Sequence, residues 1–79
     1  MQVKVLFFGA TADETGMRSI DFALDNAAKV GETLSELLSR FPQLNNHKLR
    51  FAVNQEYVAE DRVLNDGDEL AVFTAVSGG

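Results

Sequence analysis

Residues 33–42 read TLSELLSRFP, and the fold class turns on this stretch. Leu34, Leu37, Leu38 and Phe41 recur at i, i+3, i+4 and i+7, one apolar stripe along a helix. Thr33, with Glu36 three positions on, fits a capping box in which each side chain answers an orphan N–H of the first turn. Pro42 cannot continue the ladder and stops the helix at Phe41. The other apolar runs alternate instead. VKVLFF (residues 3–8) sets Val3, Val5 and Phe7 against Lys4, Leu6 and Phe8, and RSIDFAL (18–24) alternates through Ile20, Phe22 and Leu24. KLRFAVN (48–54) sets Leu49, Phe51 and Val53 against Arg50, Ala52 and Asn54. One helix covers only one face of such a sheet, so the order strand, strand, helix, then two or three strands predicts a two-layer α+β domain.

The connections follow from turn chemistry. GATADETG (9–16) reads as a polar connection bracketed by Gly9 and Gly16, and NQE (54–56) as a turn into a short strand YVA (57–59). NDGD (65–68) is a strong turn signal, because Gly67 takes positive φ at no steric cost. ELAVF (69–73) closes the domain with Leu70 and Val72 inward and Ala71 and Phe73 outward. The sheet face without a helix therefore carries Leu6 and Phe8 from the first strand, and Ala71 and Phe73 from the last. If those strands are neighbours, the four residues make an apolar patch, and a contiguous patch usually marks a partner site. The alternative is that Phe8 tucks under the 9–16 connection and nothing docks there.

Composition narrows the functional classes. Seventy-nine residues, 46% of them apolar, make one small domain with one core. Cysteine is absent, which fits a reducing compartment and excludes side-chain thiol chemistry. Twelve acids against seven bases give a net charge of −5, a poor basis for binding nucleic acid. No apolar run approaches the roughly 20 residues of a membrane span, and VKVLFF is too short and wrongly flanked for a secretory signal. A cytoplasmic protein without membrane or nucleic-acid partners is expected.

Resident chemistry is hard to find. His47, the only histidine, lies in the polar stretch QLNNHK, where a solvated loop residue is the simpler reading than a metal ligand or a base. Ser19, Ser35, Ser39 and Ser77 have no histidine at a suggestive spacing. Asp66, Asp68 and Glu69 surround a glycine turn without the spacing of a calcium loop, and the glycines form no phosphate cradle. No metal, no bound cofactor and no catalytic side chain are expected.

What remains is the end of the sequence. Residues 1–73 read as the folded domain and 74–79 as a tail, Thr74, Ala75, Val76, Ser77 and Gly78 leading to Gly79. From Phe73 the tail can reach about 20 Å fully extended. Gly78 and Gly79 carry no Cβ and could enter a tunnel too narrow for any side chain. A carboxylate at Gly79 is a poor electrophile until a nucleotide or thioester activates it. Compact domain, apolar face and glycine tip together describe a carrier whose partners do the catalysis.

These pieces resemble a known family. VKVLFFG at the start, TLSELL on the helix, AVNQEYV, LNDGDELAVF and the closing VSGG are similar, nearly end to end, to the small subunits of molybdopterin synthase, ubiquitin-like β-grasp sulfur carriers. The resemblance implies a mixed sheet of four to five strands with one main helix on one face. It implies that Gly79 is adenylated by a ubiquitin-activating-enzyme-like adenylyltransferase, which uses ATP, and is then converted to a thiocarboxylate. Sulfur would pass to cyclic pyranopterin monophosphate inside the large synthase subunit, with this chain the donor subunit of a heterotetrameric sulfurtransferase. Phe8 and Phe73 fall where the family contacts its partners. Thr74-Ala75 stands where the family usually has Pro-Pro, and Ala12-Asp13 where it usually has a basic residue and a glutamate. Three other readings stay open: a carrier for tRNA thiolation or thiamine synthesis, a modifier joined through Gly79 to lysines, and an interaction domain with an inert tail.

Overall fold

The computed structural model describes residues 1–25 and 28–74. The first strand, β1 (Gln2–Phe7), buries Val3, Val5 and Phe7 to 2% exposure or less and leaves Gln2 and Lys4 in solvent, as its alternation predicts. The 9–16 connection, expected to be irregular, contains a helix, α1 (Ala10–Thr15). Its six residues hold a single buried side chain, Thr11, so no apolar period announces it. Gly9, at φ +54°, turns the chain into α1, and Gly16 leaves it in the left-handed conformation at φ +71°. β2 (Ser19–Ala23) then returns antiparallel to β1, pairing Val3 with Phe22 and Val5 with Ile20.

The main helix, α2 (Val30–Arg40), starts before the expected cap. Its N-cap is Lys29, whose backbone N–H donates to the Glu32 carboxylate at 3.0 Å. Thr33 is fully buried instead, because it sits three residues after Val30 and four before Leu37, on the core stripe itself. The first N–H groups of the helix are answered by a loop: Val30 donates to the Arg62 carbonyl at 2.8 Å and Gly31 to that of Glu60 at 2.9 Å. At the far end Phe41 caps the helix and Pro42 opens a 3-10 turn (Pro42–Asn46) that buries Leu44.

β3 (Leu49–Val53) and β4 (Glu56–Tyr57) form a hairpin through Asn54 and Gln55, both at positive φ. That two-residue turn sets Glu56 directly opposite Val53, so the strand is Glu56–Tyr57 and not the expected 57–59. β5 (Glu69–Thr74) follows the turn at Gly67, whose φ is +84° as the sequence requires, and runs one residue further than expected, through Thr74. The five strands lie in the order β2-β1-β5-β3-β4, with β1 and β5 parallel and every other pair antiparallel.

The core lies between α2 and one sheet face. Leu70 and Val72 of β5, Val53 of β3, and Val30 and Leu37 of α2 are each 1% exposed or less. Phe7 meets Phe41 edge to face at 5.9 Å, tying the middle of the sheet to the end of the helix. On the flank, the Arg40 guanidinium lies 5.0 Å from the centre of the Phe22 ring.

The Thr33 hydroxyl is buried among these apolar groups with no hydrogen-bond partner among the described residues. Thr33→Val keeps the side-chain shape and removes that unpaired group, at similar helix propensity. Denaturant unfolding is expected to show Thr33→Val more stable than the parent by about 1 kcal/mol. A loss of stability would mean that the hydroxyl is bonded in solution.

Candidate docking face

The sheet face opposite α2 is built from the alternate residues of the five strands. Parallel pairing sets Leu6 of β1 beside Ala71 of β5, so the two strands are neighbours as the patch requires. Phe73 lies two residues further along β5, and Phe8 immediately follows β1. Phe8 is 51% exposed, so it does not tuck under the 9–16 segment. Ala71 and Phe73 are half-buried, as is Leu6.

Two residues of this face escaped the sequence reading. Ala52 pairs with Ala71 on one side and Tyr57 on the other. Tyr57 is therefore on the same face, 82% exposed, with its ring 5.8 Å from that of Phe73. The signal was weak: a tyrosine in a two-residue strand points to one face or the other according to the length of the turn before it. The result is an apolar strip running from Phe8 through Leu6, Ala71 and Phe73 to Tyr57.

Concavities flank the strip. One, of about 560 Å³, is lined by Leu6 and Phe8 together with Lys4, Asp13 and Arg18. The other, of about 370 Å³, is lined by Tyr57 with Lys48, Arg50 and Glu60. Arg50 is paired across the ladder with Phe73, so a cation stands beside the last aromatic of β5. An apolar centre with a charged, solvated rim is the composition of a protein-binding surface.

The β5 end of the strip is where the expected tail begins. Thr74, read as its first residue, instead pairs with Leu49 at the start of β3. Ala75, Val76, Ser77, Gly78 and Gly79 lie outside the described residues. Just before this point a side chain crosses between segments. Thr11 Oγ1 accepts the Phe8 N–H at 2.9 Å and lies 2.8 Å from the Val72 carbonyl oxygen and 2.9 Å from that of Phe8. The sequence reading did not single out Thr11, since its partner is 61 residues away.

Three of the polar side chains considered for chemistry have structural duties. Asp66 accepts the Gln2 N–H at 2.7 Å. Asp68 accepts the Asn65 N–H at 2.7 Å and the Asn54 side-chain amide at 3.0 Å. Asp68 thus serves the turn and Asp66 ties it to β1. His47 is less solvated than its surroundings suggest: its Nε2 lies 3.1 Å from a Glu14 carboxylate oxygen, joining α1 to the segment after the 3-10 turn. Among the described residues no cluster of three or more His, Asp or Glu stands close enough to hold a metal ion, and no helix is long and apolar enough to cross a membrane.

The geometry has counterparts in known proteins. The sequence profile of the ThiS family matches residues 5–79. The molybdopterin synthase sulfur carrier subunit of Homo sapiens is 39% identical over 83 residues, covering 99% of this chain and 94% of its own. The protein of the same name from Chlamydomonas reinhardtii is 35% identical over the full length of both. Among solved structures, the putative molybdopterin converting factor subunit 1 of Pyrococcus furiosus superposes with a TM-score of 0.88 at 27% identity, over 96% of this chain and 99% of that one. SAMP1 of Haloferax volcanii does so with a TM-score of 0.85 at 28% identity, over the whole of both chains. The ubiquitin of Caldiarchaeum subterraneum, at 15% identity and a TM-score of 0.64 over 100% and 98% of the two chains, shows the ubiquitin-like β-grasp fold alone. The profile match runs from the second half of the first strand through the helix and the strip-forming last strand to Gly79, and on it this chain belongs to the ThiS family.

Proposed function

We propose that this chain is the sulfur-carrier subunit of a molybdopterin synthase. The observation that carries the reading is the end-to-end likeness to sulfur carrier subunits of that name, at 39% identity to that of Homo sapiens, in a domain where His47, Asp66 and Asp68 are already engaged in structure. A carrier needs no catalytic side chain. It needs a surface that partners grip and a tip that they modify.

In this reading the apolar strip docks on the large subunit and on an adenylyltransferase related to the ubiquitin-activating enzymes. The Gly79 carboxylate attacks the α-phosphorus of ATP on that enzyme and displaces pyrophosphate. A sulfide equivalent then displaces AMP and leaves a thiocarboxylate. Inside the large subunit its sulfur is transferred to cyclic pyranopterin monophosphate, with water restoring the carboxylate. The chain itself holds no cofactor; ATP belongs to the activating partner. Because Thr74 is still paired in the sheet, the lead from Thr74 to Gly79 can span at most about 17 Å. The strip must therefore seat close to the mouth of the partner's active site. A cytoplasmic hetero-oligomer follows, consistent with the absence of cysteine.

Co-expression with the activating enzyme, followed by intact-mass measurement, tests the tip. The expected product gains the mass difference of one oxygen-to-sulfur replacement at Gly79. Gly79→Ala, or one added residue, should abolish it without altering the fold. Gly-Gly remnants on lysines of other proteins, with no sulfur gained, would support a protein modifier instead.

Substitutions in the strip test the surface. Phe8→Asp is expected to change stability by less than about 1 kcal/mol, against about 3–5 kcal/mol for truncating the buried Phe7 to alanine. Phe8→Asp, Phe73→Asp and Tyr57→Asp should each weaken binding to the large subunit by roughly 30-fold or more, since each buries a charge against apolar surface. Binding by calorimetry that is insensitive to all three would remove this face from the interface.

A further inference from the structure

Phe8 presents a puzzle of order. Half of it is in solvent, so packing does not decide where it points. Its backbone, however, is held at both polar groups by one residue. The Phe8 N–H donates to Thr11 Oγ1 at 2.9 Å, and the Phe8 carbonyl accepts the Thr11 N–H at 3.1 Å. Gly9, at φ +54°, provides the reversal that brings Thr11 back onto Phe8.

The same hydroxyl reaches β5. A threonine hydroxyl has one hydrogen and two lone pairs. One lone pair takes the Phe8 N–H, and the hydrogen is shared between the carbonyls of Val72 at 2.8 Å and Phe8 at 2.9 Å. The β1–β5 ladder ends at Phe7 and Val72, so Thr11 supplies the next rung where β1 has already turned away. Thr11 is 0% exposed, and a valine would fill the same volume. A hydroxyl buried at that point is costly unless bonded, and this one is bonded on both sides.

We infer that Thr11 is a positioning residue for docking: its hydroxyl locks Phe8 to the root of Phe73 and the tail, so that the strip meets its partner as one preorganised surface. This rests on the sulfur-carrier reading for the identity of the partner, but not for the existence of the latch. Rigid placement of an exposed aromatic lowers the ordering cost of binding without adding a contact. Phe73 and Thr74 follow Val72 directly, so the lock also fixes the point from which the tail departs.

Four proteins test it: Thr11→Val, Thr11→Ser, Phe8→Ala and the Thr11→Val/Phe8→Ala pair. Amide hydrogen exchange in the free proteins reads the latch, and calorimetry against the large subunit, at a temperature where each is fully folded, reads docking. Thr11→Val should speed exchange of the Phe8 amide at least tenfold and weaken binding roughly three- to tenfold, while Thr11→Ser restores both. In the Phe8→Ala background the effect of Thr11→Val on binding should largely vanish, which a merely structural role would not produce. A folded Thr11→Val that binds like the parent, or a loss undiminished by Phe8→Ala, overturns the inference. If Thr11→Val does not fold, the parent and Thr11→Ser decide: an unprotected Phe8 amide in either overturns the latch. If the parent does not bind the large subunit, the sulfur-carrier reading fails by itself, and loss of Phe8 protection in Thr11→Val still supports the latch.

Discussion

Lys4 to Phe7 run alongside Glu69 to Val72, in the same direction, at the centre of the five-stranded sheet. Parallel neighbours cannot be joined by a hairpin, so the chain between β1 and β5 has to cross over a face of the sheet before it returns. The chain between them holds one long helix, of 11 residues, and that helix lies over one face only. The pairing is stitched at its start by the turn before β5. The Gly67 N–H donates to the Gln2 carbonyl at 2.7 Å, and Asp66 takes the Gln2 N–H. At its finish Thr11 supplies the last bond. With the ends of the ladder held, the alternation of β1 and β5 assigns every residue between to one face or the other.

Two unlike surfaces result. The inner one takes Val5, Phe7, Leu70 and Val72 and closes them under Leu37 and Phe41. The outer one takes Leu6, Ala71 and Phe73, and no element of the described chain covers it. At about 25 cal/mol per Å² of apolar area buried, the inner face provides the stability of the domain, while the outer face leaves part of its apolar area in water. The backbone beneath the strip is hydrogen-bonded on both sides of β5, so the surface it presents is ordered in the domain by itself.

The same economy of parts puts several of the side chains considered for chemistry to work in the fold. His47 is joined to Glu14, and that glutamate's backbone carbonyl accepts the Gln43 amide at 2.6 Å, so the contact anchors α1 on the 3-10 turn. Asp68 and Asn54 hold the last turn and the β3–β4 hairpin together, with Asn54 accepting the Glu69 N–H at 3.0 Å, while Asp66 ties the same turn to β1.

Much of this was legible along the chain. The period of 3.6 in Leu34, Leu37, Leu38 and Phe41, and the period of two in VKVLFF and ELAVF, determined the helix, the strands and which residues of each strand shared a face. Gly67 marked its turn, since an L side chain rarely takes that φ. Leu6, Phe8, Ala71 and Phe73 were readable as one outward set because strand periodicity is local. The rest was decided by contacts between distant segments. The start of α2 could not be read because Thr33 looks like a cap by type, and only packing places it in the core. Six residues with one buried side chain are too few to show a helical period, so α1 was invisible. Tyr57 joins the strip because the two-residue turn at Asn54-Gln55 sets the register, and a slip of one would have sent it to the opposite face. Thr11 gains its role from Val72, 61 residues away, brought alongside by the parallel pairing of the first and last strands. Periodicity is a property of neighbours in sequence, whereas a hydrogen bond between the first and last strands exists only once the chain between them has folded.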